Sequence, residues 1–219
     1  RLPYGPRPLD ELRRFAGEIG SYLEEQGVKL IVAACNAATS AALPQLQETL
    51  DVPVVGVITP EAHAAVQATR NRRVGLLATQ ATVTAGRYAS LVHALDAGVE
   101  FFPVACPRLV PLIESADPFA AETTEAVREY AQPLKEAGVD TVILGCTHYP
   151  LLRPMLQRFL GRGAEFVSSG APVALLGALL RGPCAFGSDC VGYCQLPVLD
   201  NPHLSGLHAD LPPSLPAPP

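Results

Sequence analysis

The sequence predicts an α/β protein with two pseudo-symmetric parallel-sheet α/β domains that face each other across a cleft. Short apolar runs of strand length alternate with amphipathic stretches at helical spacing, which is typical of parallel sheets covered by helices. One helix–strand unit recurs 111 residues further along the chain. Apolar residues make up 48% of the 219 residues, so the chain is able to form a substantial core.

Each predicted element follows from a local pattern of apolar residues and glycine. The first helix has its apolar side chains on one face, and Gly27 is a suitable residue to end it. Continuous apolar runs predict strands that are buried on both faces. Strands are predicted at 29–34, 52–58, 74–78, 99–104 and 141–144, and helices at 9–25, from 36, at 61–69, 85–95 and 120–137, and from about 151, with Thr79 and Thr82 in a turn.

These elements divide into two domains and a tail. The first α/β domain is predicted over residues 1–58 together with about 168–182, and the second over 59–167. Residues 183–219 contain eight prolines in 37 residues and little periodicity, so they are predicted to be loop or disordered.

The composition excludes several classes of protein. A net charge of −5 without a basic stripe makes nucleic acid an unexpected primary partner. The apolar run at 171–180 is too short to cross a bilayer, so we expect no membrane association. With no export signal in view, the six cysteines favour reduced thiols in a cytoplasmic protein over disulfides.

The repeat carries a cysteine at the same place in both copies. Leu23-x-Glu25-x-Gly27-Val28 is followed by six residues and Cys35, and Leu134-x-Glu136-x-Gly138-Val139 by six residues and Cys146. Ligands of open α/β sheets bind at the carboxyl ends of the strands, where both cysteines fall. Chance similarity between two common αβ units is the alternative explanation of the repeat.

Two thiols at strand ends indicate acid–base chemistry. A thiol that precedes a helix N-terminus is expected to have its pKa lowered from about 8.5 toward neutrality. One thiol on each face of a carbon atom inverts a stereocentre without a cofactor, because one removes a proton and the other returns one. Asn36, Thr147 and His148 offer donors to a carboxylate at the neighbouring helix starts.

The other cysteines indicate no second site. A single free cysteine is often just a small buried hydrophobic residue, and Cys106 is interpreted in this way. The late group of Cys184, Cys190 and Cys194 with two histidines lacks the usual C-x2-C spacing of zinc ligands, so no metal is expected.

Several motifs together resemble the bacterial glutamate racemases of the aspartate/glutamate racemase family. The resemblance covers about residues 1–170, and the second cysteine motif is its most specific part. The motifs are Pro3-Tyr4-Gly5, Ala34-Cys35-Asn36, Gly75-Leu-Leu-Ala-Thr79-x-x-Thr82, Ala105-Cys106-Pro107 with Leu109-Val-Pro-Leu-Ile-Glu114, and Gly145-Cys146-Thr147-His148-Tyr149-Pro150-Leu-Leu.

This resemblance implies cofactor-independent, two-base interconversion of L- and D-glutamate that supplies D-glutamate for peptidoglycan, at an active site between two domains. Cys35 and Cys146 would be the acid–base groups, assisted on one side by His148, with Glu114 as a possible supporting carboxylate. A homodimer is a further possibility. The substrate would be bound by Tyr4, Gly5, Asn36, Ala37, Thr79, Thr82, Thr147 and His148.

The chain departs from the family pattern in three places. The opening strand with its Asp-Ser-Gly turn is absent, and we expect the chain without it to be less stable and less active. Position 37 is alanine where the family usually has threonine, and Thr39 is not assumed to replace it. The tail after about residue 174 is atypical. A racemase of the same family acting on aspartate or a hydantoin, and an inactive fragment, therefore stay open as alternatives.

Overall fold

The computed structural model describes residues 2–115 and 120–169, which belong to one compact unit, Arg1–Pro172. Most of the predicted 168–182 segment and the whole predicted tail, including its cysteines, lie outside the described residues. The division into domains at residues 58 and 59 stays a prediction.

The described part of the chain contains eight helices and six strands, and at least one helix separates each strand from the next. The helices are α1 (Leu9–Glu25), α2 (Asn36–Thr49), α3 (Ile58–Ala68), α4 (Gln80–Ala85), α5 (Arg87–Leu95), α6 (Leu109–Ser115), α7 (Ala121–Glu136) and α8 (Arg153–Leu160), with a 3₁₀ turn at Tyr149–Leu152. The strands are β1 (Ile31–Ala33), β2 (Val54–Gly56), β3 (Arg73–Ala78), β4 (Glu100–Ala105), β5 (Thr141–Gly145) and β6 (Glu165–Val167).

The strands form two parallel sheets, which confirms the predicted fold class. In the smaller sheet β1 pairs with β2, with Ile31 opposite Val54. The larger sheet has the strand order β4-β3-β5-β6, and every pairing in it is parallel. Because all strands of a sheet point the same way, their carboxyl ends meet at one edge.

In both repeated units, a glycine connects the helix to the strand that follows it. Gly27 after α1 and Gly138 after α7 both adopt a left-handed backbone, with φ of 72° and 65°. Glycine reaches this conformation without steric cost, so it ends each helix and turns the chain toward β1 and β5. The predicted boundaries of these units agree with the structure to within two residues.

The segment after β3 differs from the prediction. Thr82 lies inside α4 rather than in a turn, and α3 begins at Ile58 rather than at residue 61. Gly86, with φ of 68°, separates α4 from α5, so the helix predicted at 85–95 corresponds to α5, and α4 is an additional helix where a turn was predicted. The strand β2 is shorter than its apolar run because the chain after Gly56 already turns into α3.

Apolar side chains from one face of the larger sheet form the main core. Leu77, Val142 and Leu144 of the sheet pack with Leu134 of α7 and Leu156 of α8, and all five are buried. A second cluster joins β1 and β2 to α1 and α2 through Ile31, Leu43, Leu46 and Val54. None of the helices in the described part of the chain combines the length and the apolar composition needed to span a bilayer.

Gly56 is packed so tightly that a side chain there should destabilise the protein. A Cβ at this position would lie 2.4 Å from Thr39 Cγ2 and 2.9 Å from Leu43 Cδ2. We expect Gly56→Ala to lower the free energy of unfolding by about 1–3 kcal/mol, the usual cost of overpacking. Urea unfolding measures this.

Gly163→Ala is the matched control, because a Cβ there has no neighbour within 4 Å. We expect a change within about 0.5 kcal/mol. Equal effects of the two substitutions would contradict the close approach of α2 to β2.

Candidate active site

The predicted site residues lie where parallel strands end. Thr79 follows β3, Cys106 follows β4 and Cys146 follows β5, so these three share one edge of the larger sheet. Cys35 lies two residues after β1, near the corresponding edge of the smaller sheet. The sheet topology thus accounts for the position of residues that are far apart in sequence.

Cys35 caps the N-terminus of α2. Its extended backbone (φ −83°, ψ 121°) precedes the helix, and its carbonyl oxygen accepts a hydrogen bond from Thr39 N at 2.8 Å. The side chain is partly exposed. It packs beside Tyr4 against an apolar cluster that contains Ala37.

The segment of Tyr4 and Gly5 is attached to the start of α4. Ala81 N donates a hydrogen bond to Gly5 O at 3.0 Å. A Cβ at Gly5 would lie 3.1 Å from Thr79 Cβ, so glycine permits this close contact. The hydroxyls of Thr79 and Thr82 are 3.1 Å apart and nearly inaccessible to solvent.

Cys146 belongs to a chain of three polar groups. Its Sγ lies 3.6 Å from His148 Nδ1, and His148 Nε2 lies 3.0 Å from Glu114 Oε1. Because a carboxylate oxygen accepts, Nε2 carries the imidazole hydrogen and Nδ1 is free to take a proton from the thiol. Thr147 is exposed, and its hydroxyl lies 3.4 Å from the same Nδ1.

The expected lowering of the thiol pKa is wrong for Cys146. Burial raises the pKa of Cys146 to about 11, and the hydrogen bond from the His148 backbone N–H only partly offsets it. The 3₁₀ turn begins at Tyr149 and α8 only at Arg153, so no α-helix starts directly after this cysteine. Desolvation therefore outweighs the available hydrogen-bond donors.

The two cysteines interact electrostatically. The negative charge of a Cys35 thiolate also raises the pKa of Cys146. Cys35 packs against the apolar cluster that contains Ala81 of α4, and Ala78, at the end of β3, lies opposite Gly145, next to Cys146. Both thiols therefore lie near the carboxyl end of β3. Cys106 has no exposed surface, and burial raises its pKa, which fits its interpretation as a structural residue.

Asn36 takes part in a buried polar network that the sequence did not reveal. Its Nδ2 donates to Glu61 Oε2 at 3.0 Å and to the Tyr88 hydroxyl at 2.7 Å. The Tyr88 hydroxyl in turn donates to Glu61 Oε2. All three residues are at most 2% exposed.

Burial raises the pKa of Glu61 to about 8, while hydrogen bonds with Tyr88, Ser169 and Asn36 act in the opposite direction. Glu61 lies in the first turn of α3, just after β2. A carboxylate in the first helical turn after a buried strand is a sequence pattern that could have identified Glu61 as a candidate site residue. Tyr88 lies within α5 and had no comparable signal.

Neither Ala37 nor Thr39 offers a spare hydroxyl. Ala37 has none, and the Thr39 hydroxyl donates to Ala33 O at 2.7 Å. Thr39 is thus engaged with β1 and does not take over the role of a threonine at position 37. Among residues 2–115 and 120–169, no group of three or more His, Cys, Asp or Glu is arranged to hold a metal ion.

This arrangement suits proton transfer at a single atom. Two thiols from different sheets reach one site, and one of them is connected to a histidine–carboxylate pair. Asn36, Thr79, Thr82 and Cys146 are at most 8% exposed, so these polar groups are largely shielded from water. Shielding strengthens the electrostatic interactions on which proton transfer depends.

Comparison with known proteins identifies the family of this chain. The family model described as Asp/Glu/Hydantoin racemase matches residues 7–173. A glutamate racemase of Carnobacterium sp. (strain St2) is 44% identical over 171 residues, which are 78% of this chain and 64% of that protein. One of Listeria monocytogenes serotype 4a (strain HCC23) is 44% identical over 174 residues, 80% of this chain and 65% of the relative.

Two solved structures of glutamate racemases resemble the fold. Isoform RacE1 from Bacillus anthracis has a TM-score of 0.79 and 37% identity, and the match covers 83% of this chain and 68% of that one. The enzyme from Francisella tularensis subsp. tularensis SCHU S4, solved in complex with D-glutamate, has a TM-score of 0.77 and 27% identity, with the same coverage.

The fold and the matched residues place the chain in the racemase class of α/β proteins. The chain belongs to the Asp/Glu/Hydantoin racemase family. It spans just under two thirds of the length of the Carnobacterium and Listeria relatives.

Removing Cys35 should make Cys146 more reactive. If the charge of Cys35 raises the pKa of Cys146, Cys35→Ser lowers that pKa and increases the thiolate fraction at a given pH. We expect faster alkylation of Cys146 by iodoacetamide between pH 7 and 9, measured by mass spectrometry of its peptide. An unchanged rate would mean that the thiols are too far apart to interact, and buried Cys106 is the internal unreactive reference.

Glu61 should make stability fall as the pH rises. Its pKa is about 8 in the folded chain against 4.5 in the unfolded chain, so unfolding releases a proton between these values. Its contribution is complete below pH 4.5 and is lost as the pH rises to 8, by on the order of a few kcal/mol. Urea unfolding from pH 5 to 8 should show a steeper decline for the unchanged chain than for Glu61→Gln.

Exposed Glu48 on α2 provides the control, since Glu48→Gln should keep the decline of the unchanged chain. If Glu61→Gln shows the same decline in stability with pH as the unchanged chain, Glu61 is not a neutral acid in the folded core.

Proposed function

We propose that this protein is a glutamate racemase that interconverts L- and D-glutamate by a two-base mechanism without a cofactor. The observation that carries the proposal is the position of Cys35 and Cys146, two thiols at the ends of β1 and β5 that both lie near the carboxyl end of β3. Inversion at Cα requires one group that removes a proton from one face and another that donates to the opposite face.

Cys146 and Cys35 take these two roles in the proposed mechanism. On one face, the Cys146 thiol passes its proton to His148 Nδ1, and the Glu114 carboxylate stabilises the resulting imidazolium. The thiolate then removes the Cα proton, while the Cys35 thiol delivers one to the other face. The reverse reaction exchanges the roles of the two cysteines.

The substrate is held by the polar groups around the thiols. Tyr4, Gly5 and the hydroxyls of Thr79 and Thr82 lie together on one side, and Thr147 and His148 lie beside Cys146. The backbone N–H of Ala37, in the first turn of α2, is available to a carboxylate. Binding removes water from the site, which increases the effect of each donor.

Glutamate is favoured over other substrates of the family by the relatives at 44% identity, which are glutamate racemases. The allantoin racemase of Klebsiella pneumoniae and the aspartate racemase of Picrophilus torridus are only 22% and 20% identical and share the fold alone. D-glutamate produced in the cytoplasm would supply peptidoglycan synthesis. A homodimer stays a prediction, which the mass in solution tests.

Racemisation in deuterated water tests the mechanism. We expect deuterium to enter Cα of the product from either enantiomer of glutamate, without added pyridoxal phosphate, followed by mass spectrometry and circular dichroism. Cys35→Ala and Cys146→Ala should each lower turnover by at least about 100-fold, because each removes one acid–base group.

Cys106→Ala is the matched control, because this buried cysteine has no role in proton transfer, and it should keep most of the turnover. Normal turnover in either Cys35→Ala or Cys146→Ala would overturn the two-base mechanism. Turnover with aspartate but not with glutamate would show that aspartate is the substrate. No turnover with either amino acid would favour the inactive-fragment alternative.

A further inference from the structure

The buried network of Asn36, Glu61 and Tyr88 extends the candidate active site into the protein interior. Asn36 directly follows Cys35, and burial raises the pKa of Tyr88, with the charge of a Cys146 thiolate as the smallest contribution in the same direction. The network therefore lies close to both thiols. Its members come from α2, α3 and α5, so it also joins helices that follow both sheets.

The network determines which way the Asn36 amide faces. The nitrogen Nδ2 is bound by Glu61 Oε2 and by the Tyr88 hydroxyl. Oδ1 points away from these partners and has no hydrogen-bond donor among the described residues. A buried acceptor without a donor costs about 1–3 kcal/mol, so this atom favours a ligand that carries N–H groups.

We propose that Glu61 is a positioning residue that, together with Tyr88, holds the Asn36 amide so that Oδ1 accepts a hydrogen bond from the α-ammonium group of the substrate. This inference rests on the proposed function, since it assumes an amino acid as the ligand. Glu61 itself touches no substrate.

The chemistry of the three side chains supports this role. Tyr88 has one hydroxyl hydrogen, which it gives to Glu61, so its oxygen is left to accept from Asn36. Glu61 Oε2 accepts from both neighbours. Its Oε1 makes no hydrogen bond of normal geometry with the described residues, although Ser169 is near enough to lower the pKa of the carboxyl.

A pair of ligands separates this role from a merely structural one. D-glutamate carries the ammonium group, whereas glutarate has the same two carboxylates without it. In the full 219-residue chain, Glu61→Leu and Tyr88→Phe should raise the Kd of D-glutamate at least about tenfold, the value of a hydrogen bond to a charged group. The Kd of glutarate should change less than about threefold. Titration calorimetry measures both.

Conservative and distant substitutions complete the design. Glu61→Gln keeps an oxygen that accepts from Asn36 and Tyr88, so it should recover most of the affinity lost in Glu61→Leu. Tyr130→Phe removes a hydroxyl from another tyrosine, 9% exposed, outside the network and should leave both Kd values unchanged. Equal losses for both ligands, or no loss for D-glutamate, would overturn the positioning role.

A readout without substrate distinguishes failure of this inference from failure of the proposed function. Hydrogen exchange of the Asn36 side-chain amide, followed by NMR, should accelerate at least about tenfold in Glu61→Leu. The exposed Asn71 amide is the internal reference. Unchanged exchange at Asn36 would show that Glu61 does not hold the amide, whatever the activity. Acceleration without any D-glutamate binding to the unchanged chain would instead overturn the proposed function.

Discussion

Parallel pairing of the strands is the constraint on which the rest of the site depends. Because the strands of each sheet run in one direction, their carboxyl ends meet at one edge, and the residues that follow them are neighbours. Thr79 and Cys146 are 67 positions apart in sequence but follow adjacent strands, β3 and β5. Cys35 reaches the same site from the other sheet. An antiparallel arrangement would place half of these residues at the opposite end.

Burial is the second physical influence on the site, because it opposes ionisation of the acidic side chains. In the absence of a ligand, desolvation keeps the thiol of Cys146 and the carboxyl of Glu61 in their neutral forms at neutral pH. The His148–Glu114 pair gives Cys146 a local proton acceptor. The same low polarity makes each hydrogen bond to a bound substrate stronger. Desolvation of these polar groups, which is unfavourable in the free protein, therefore favours a ligand that completes their hydrogen bonds.

Much of the fold was predictable because its patterns are local. The apolar runs of β1 and β5 and the glycines after α1 and α7 depend only on neighbouring residues. The short helix α4 was not predicted, since its small and polar residues are equally compatible with the turn expected there. The position of Glu61 is a similar case. Its helix was expected, but its contact with Asn36 and Tyr88 depends on how α2, α3 and α5 pack.

The sequence by itself determined the α/β class, the repeated unit with its two cysteines, and the resemblance to the racemase family, because strand periodicity, glycine turns and motifs are written in consecutive residues. Only the tertiary structure decided that Cys146 is a buried thiol of high pKa, that Thr39 is engaged with β1, and that Glu61 and Tyr88 hold Asn36. Solvent exclusion and hydrogen-bond partners arise between segments distant in sequence. They are therefore properties of packing, which no local pattern of residues contains.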